Sequence, residues 1–220
     1  KCTEIPGQDK IPSKAKVPAY HVREQDQIVW IWFGSEAHPE PNCEPPTYSV
    51  HSSGKYLFDG SVYHYNAPYQ LIHDNLMDLS HLGYVHLRTI GGNASIHMNA
   101  RMSVESEGDV VRAVNAGTDD LNDPDRGGFH MRGFHGVTPE TETTTHYFWT
   151  IATNPESDPE VIKAKVVEQT VLTFDEDKEV IEAQYQNMCR FGARPMIDIH
   201  VDVGANRARR IIEQLRQSSC

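Results

Sequence analysis

The sequence predicts an α+β fold, an antiparallel sheet followed by long helices, and three observations lead there. Segments with alternating, β-branched or aromatic side chains occupy the first two thirds of the chain, at Ser61 to Tyr65, Ser95 to Val104, Val110 to Val114 and Thr143 to Ala152. The period then changes. Asp158-Pro159 joins an N-cap residue to a first-turn proline, and the glutamate-rich stretch from there to about Cys189 is helical in pattern. A last helix is expected over roughly Ala205 to Gln217. Strands first and helices afterwards, rather than strict alternation, indicate antiparallel pairing.

The elements preceding the sheet are of a different kind. Lys1 to Val17 is lysine-rich and aperiodic, and His21 to Phe33 turns abruptly strand-like, ending in Ile-Val-Trp-Ile-Trp-Phe. The run His38 to Pro46 is proline-rich, which removes backbone donors and disfavours helix before each proline. It reads as a linker and sets the expected boundaries: 1–37, a linker at 38–47, and a main domain over 48–220. Asn75 to Val85 has Leu76, Leu79, Leu82 and Val85 at a spacing that suits one helical face.

Composition narrows the functional classes. A chain of 220 residues, 38 % hydrophobic, can bury a core, and a net charge of −11 makes nucleic acid a poor partner. The longest apolar run, Ile28 to Phe33, falls far short of the ~20 residues that span a bilayer. The polar, lysine-rich start does not resemble a secretory signal, and the four cysteines form no Cys-x-x-Cys pair. Reduced thiols in a cytoplasm are expected.

The chemistry concentrates in Asp74-Asn75-Leu76-Met77-Asp78-Leu79-Ser80-His81-Leu82-Gly83-Tyr84-Val85-His86. Five residues separate His81 from His86, about 140° apart on a regular helix and too divergent for one ion. The helix must therefore bulge or break, and Gly83 is the residue expected to allow it. Asp78, three positions before His81, is placed to accept the proton of the ring nitrogen that faces away from a metal. Two imidazoles need an acid to close a site, and Asp175, Glu176 and Asp177 are all available in one helix. Two histidines and one carboxylate form the facial set of non-haem Fe(II) enzymes. His-Glu-x-x-His, the zinc-protease signature, is absent.

Asp74 to His86 resembles the mononuclear-iron motif of Rieske-type non-haem iron oxygenases, in the branch of the vanillate and dicamba O-demethylases. Three further segments agree in order: Cys2 to Gln8 with Tyr20 to Phe33, Thr138 to Glu142 with His146 to Trp149, and Asp175 to Gln184. The resemblance implies a helix-grip catalytic domain preceded by the last strands of a Rieske β domain. It implies the ligands His81, His86 and Asp177, a bridging Asp78 through which an electron arrives from a neighbouring subunit, and Asn75 close to the iron. His135 is similar by position to a substrate-pocket residue, whereas His97, His130 and His146 read as structural.

The expected function is that of the oxygenase component of a monooxygenase. It would take O2 and electrons from NAD(P)H, through a ferredoxin or flavin reductase, and O-demethylate a methoxy aromatic acid in a homotrimer. Ring hydroxylation by the same machinery is the alternative. Other classes compete as well: a metal-free helix-grip binder and a hydrolytic zinc site. Two departures from the family pattern stand out. No Cys-x-His followed by Cys-x-x-His is present, so the ligands of the [2Fe–2S] cluster are missing from a chain expected to be part of a longer polypeptide. The spacing from His86 to Thr138 is also short, the difference falling around Arg112 to Phe129 where a substrate-covering segment is expected.

Overall fold

A computed structural model describes residues 2–34, 39–41, 43–90, 101–116, 130–155, 157–192 and 197–218. β1 (His21–Gln25) and β2 (Ile28–Trp32) form an antiparallel hairpin. Its turn residues Asp26 and Gln27 both take positive φ, 52° and 61°, as a two-residue turn matched to strand twist demands. That conformation is costly without glycine, and side-chain bonds offset it. Asp26 accepts from the Tyr48 N–H at 2.7 Å and the Ser52 hydroxyl at 2.6 Å, and Gln27 donates to the His51 carbonyl at 2.7 Å.

The centre of the molecule is a three-stranded antiparallel sheet of β3 (Leu57–Tyr65), β6 (Met131–Pro139) and β7 (Thr145–Thr153), in the order β3-β7-β6. The His51 ring reaches Thr150 on β7 at 2.7 Å and so fastens the hairpin tip to this sheet. Alternation along the strands sends Tyr63, Tyr65, Tyr147 and Trp149 to one face. Against that face lies α3 (Pro159–Phe191), 33 residues and about 50 Å long. Phe174 of α3 meets Tyr147 and Trp149 edge-on, with ring centroids 5.7 and 5.2 Å apart. Leu71 and Ile72 of α1 (Tyr69–Met77) and Ile181 of α3 complete the buried core.

The helical pattern over Asn75 to Val85 breaks, as the interval between the two histidines requires: α1 stops at Met77, and a four-residue α2 (Leu82–Val85) follows. The structure corrects the expected elements in three respects. Gly83 lies buried inside α2 and is not the break. The break comes from Asp78, whose carboxylate accepts the Ser80 N–H at 2.8 Å and hydroxyl at 2.6 Å, a local turn that outcompetes helix continuation. The segment Val110 to Val114 does not join the central sheet. β5 (Val110–Ala116) pairs with β4 (Arg101–Glu107) as a separate two-stranded sheet. Residues 95–100 of the expected strand, His97 and most of the expected covering segment lie outside the described residues. Asp158 precedes α3 as expected, but in the left-handed region (φ 48°) and without a capping hydrogen bond.

α4 (Val203–Ser218) packs on α1, and Arg209 holds the two together. Its Nε donates to Asp74 at 2.8 Å and its Nη2 donates to the second oxygen of the same carboxylate. Both groups are largely buried, so truncating Arg209 to Ala would strand a carboxylate. Arg209→Ala is expected to destabilise the chain by about 1–3 kcal/mol, read as a lowered denaturant midpoint at unchanged slope. A midpoint equal to that of the parent would mean the pair contributes nothing.

Candidate metal centre

Three side chains converge where α1, α2 and α3 meet. Nε2 of His81 lies 3.1 Å from Nε2 of His86, and Oδ1 of Asp177 lies 3.2 Å from the second and 3.5 Å from the first. Ligand bonds of about 2.1 Å meeting at 90–110° put donor atoms about 3.0–3.4 Å apart, so these separations fit adjacent positions around one ion. The helix break makes this possible: His81 precedes α2 and His86 follows it, which brings both rings to one side despite their five-residue interval.

Each imidazole has its other nitrogen occupied. Nδ1 of His81 donates to the backbone carbonyl of Asp78, and Nδ1 of His86 donates to Glu176 at 2.9 Å. Both rings therefore carry their proton on Nδ1 and turn an Nε2 lone pair inward, the tautomer a metal requires. The expected contact from Asp78 to His81 is thus present, but through the main chain, because the carboxylate is committed to Ser80. Glu176 is fixed in turn by the Thr89 hydroxyl at 2.7 Å.

Asn75 donates its Nδ2 to Asp177 Oδ1 at 2.9 Å and stands 3.5 Å from His81 Nε2. An amide N–H is no ligand, so Asn75 orients the carboxylate. Burial opposes charge on Asp177, only 6 % exposed, yet the neighbouring imidazoles of His81 and His86 and the Asn75 N–H outweigh that and hold its carboxyl down at about 2. Burial likewise opposes charge on His86, and the carboxylates of Asp177 and Glu176 override it and raise its pKa. A buried carboxylate facing two convergent lone pairs is a donor set that suits a divalent cation, and two nitrogens with one oxygen suit iron.

His135 sits on β6 opposite Trp149 of β7. Its Nδ1 accepts from the Tyr147 hydroxyl at 2.6 Å, and its ring stacks on Tyr147 at 6.0 Å and meets Phe174 at 5.9 Å. The residue is partly exposed, but protein surrounds the ring closely, and this desolvation pushes the imidazole down to about 4. The ring is neutral near pH 7 and presents its Nε2–H. Phe174 lies one turn before Asp177 on α3.

Sequence reading missed three contributors. Glu176 was one of three candidate acids rather than the partner of His86, and Thr89 carried no signal. Trp149 has a buried Nε1–H with no hydrogen-bond partner, and only the strand register shows that it is paired with His135. On the far side of the centre, Asp78, His81 and Asn75 line a cleft of about 430 Å³ closed by α3 and α4.

A sheet gripping a long helix, with two histidines and a carboxylate converging beside it, has the ligand set of a mononuclear non-haem iron centre. Residues 65–124 and 115–218 match the vanillate O-demethylase oxygenase C-terminal domain, and the chain belongs to that family. The iron-sulfur subunit TsaM1 of the toluene-4-sulfonate monooxygenase system of Comamonas testosteroni is 29 % identical over 259 aligned positions, covering 97 % of this chain and 74 % of that protein. A vanillate O-demethylase oxygenase subunit from a Pseudomonas species is 26 % identical over 90 % of this chain and 74 % of its own length. The crystal structure of dicamba monooxygenase bound to 3,6-dichlorosalicylic acid superposes with a TM-score of 0.81 at 25 % identity, over 98 % of this chain and 75 % of that one.

The protein is accordingly an oxidoreductase, which sets aside the binder and the hydrolase. The two family-matched stretches overlap at 115–124, within the region where the sequence spacing fell short.

Proposed function

We propose that this chain inserts one atom of O2 into an aromatic substrate, most specifically into the methyl C–H of a methoxy aromatic acid. The other oxygen atom leaves as water with two electrons and two protons. The resulting hemiacetal collapses to a phenol and formaldehyde. The convergence of His81, His86 and Asp177 to 3.1–3.5 Å carries this reading. Fe(II) held by these three atoms supplies the activation of O2.

The remaining work belongs to the chain. Asn75 and Glu176 hold the carboxylate and the His86 ring in place, and the aromatic wall of Tyr147, Phe174 and Trp149 excludes water. The His135 Nε2–H is a donor suited to a substrate carboxylate. Two named O-demethylases among similar proteins support demethylation over ring hydroxylation.

Electrons would come from NAD(P)H through a reductase or ferredoxin, by way of a Rieske [2Fe–2S] cluster that this chain's residues cannot ligate. The N-terminal hairpin within 1–37 would be the end of the cluster domain, 38–47 the linker and 48–220 the catalytic domain. The cleft beside Asp78 gives a neighbouring subunit access to the bridge, in keeping with a trimer, and a cytoplasmic setting suits the free thiols of Cys2, Cys43 and Cys189. Among the described residues, no helix is long and apolar enough to cross a membrane.

Asp78→Asn tests the bridge in the complete enzyme. The amide oxygen still accepts from Ser80 and the main-chain bond to His81 is untouched, so mononuclear iron should stay at one per chain, beyond the two of the cluster, while coupled product formation falls about 10- to 100-fold. Normal turnover, or loss of iron, would contradict the assigned role.

A further inference from the structure

A second group of metal-binding side chains lies at the edge of the central sheet, outside the site just described. His64 on β3 and His146 on β7 are directly opposed in register, and their rings stand 5.1 Å apart. Both point away from the face that carries Tyr63, Tyr65 and Tyr147, because neighbouring residues on a strand alternate sides. Glu140 follows β6 and reaches across both: one carboxylate oxygen is 2.8 Å from His64 Nε2 and the other is 3.5 Å from His146 Nε2. One ligand atom from each residue lies within 4.8 Å of the others, a condition otherwise met among the described residues by His81, His86 and Asp177.

The carboxylate is positioned by its own turn. The Glu140 N–H donates to the Thr144 carbonyl at 3.1 Å, and the Thr144 hydroxyl donates to Glu140 Oε2 at 2.8 Å. Thr141 and Thr144 hydroxyls lie 2.7 Å apart and brace the same loop. The bonds from His64 and Thr144 also hold the Glu140 carboxyl below its usual range, so it is ionised at neutral pH. Two imidazoles brought together by strand register, with a carboxylate fixed between them, form a donor set that one divalent cation could bridge.

We infer that His64, Glu140 and His146 form a second, surface cation site that takes a borderline divalent ion of the zinc class and clips β3 to the β6–β7 turn. Two nitrogens and one oxygen match the ligand preference of such ions. The three side chains are 40–46 % exposed, which leaves the remaining coordination positions to water. The site shares no residue with the oxygenase centre and lies on the sheet face opposite Tyr63, Tyr65 and Tyr147.

The test is a zinc titration of the iron-loaded protein, followed by counting both metals and measuring the thermal midpoint. One zinc per chain beyond the iron, with a raised midpoint, is expected. His64→Ala and His146→Ala should each weaken zinc binding at least tenfold and abolish the midpoint shift while iron stays at its parental count. Glu140→Gln should weaken zinc binding less. His81→Ala should lose iron and still take up one zinc at the second site. No zinc beyond the iron, or zinc binding unchanged in the His64→Ala/His146→Ala double variant, would overturn the inference and reduce the cluster to an ion-paired surface.

Discussion

Asp177→Ala is expected to empty the centre: mononuclear iron, counted beyond the two irons of the cluster, should fall from one per chain to less than a tenth, and product formation at least about 100-fold. The substitution removes the only anionic member of the set and leaves two imidazole lone pairs 3.1 Å apart with nothing between them. Asn75 would lose its acceptor as well. The fold should survive, because the core around Tyr147, Trp149 and Ile181 does not depend on the carboxylate. An unchanged far-ultraviolet dichroism spectrum alongside the metal count separates loss of ligand from loss of structure. Iron retained at parental stoichiometry would show that some other acid closes the site, with Asp175 and Glu176 the nearest in sequence.

Replacing Glu176 should have the next largest effect, by a different route. Its carboxylate touches no ligand position directly; it accepts from His86 Nδ1 and from Thr89. Burial opposes its charge, but those two bonds, His86 first, hold its carboxyl below the usual value, so it acts as an anion. That anion makes the far nitrogen of His86 more basic and fixes the ring angle. Glu176→Gln keeps an acceptor oxygen and loses the charge, whereas Glu176→Ala loses both. Iron affinity is expected to fall about 10-fold in the first and towards 100-fold in the second, measured by competition with a chelator. Equal affinities in parent and both variants would mean that His86 needs no orientation from α3.

Glu176 and its neighbours show where sequence ends and structure begins. Asp175, Glu176 and Asp177 are indistinguishable as a triplet, yet each is turned about 100° from the next on a helix and finds a separate partner. Asp175 accepts from the Tyr63 hydroxyl at 2.9 Å, Glu176 holds His86, and Asp177 faces the centre. Only Asp177 falls on the buried stripe with Thr173 and Ile181, so a carboxylate among core-facing positions was a legible signal. The family resemblance selected it; spacing alone left three candidates.

The order of strands and helices was readable because side-chain alternation and helical period are local. What failed depended on competition or on distant partners. Leu76, Leu79, Leu82 and Val85 kept their helical spacing across a break that Asp78 and Ser80 impose. Nothing in Val110 to Ala116 specifies β4 as its partner rather than the central sheet. His146 read as a structural strand histidine, and its place beside His64 and Glu140 emerges only from the β3–β7 register.

The account stands on one ferrous ion bound by His81, His86 and Asp177. Anomalous diffraction from crystals of the iron-loaded protein, recorded on either side of the iron absorption edge, tests that most directly. A mononuclear iron peak within about 2.3 Å of Nε2 of both histidines and of an Asp177 oxygen, separate from the paired irons of the cluster, is the predicted result. No iron peak at that position in catalytically active crystals would contradict it.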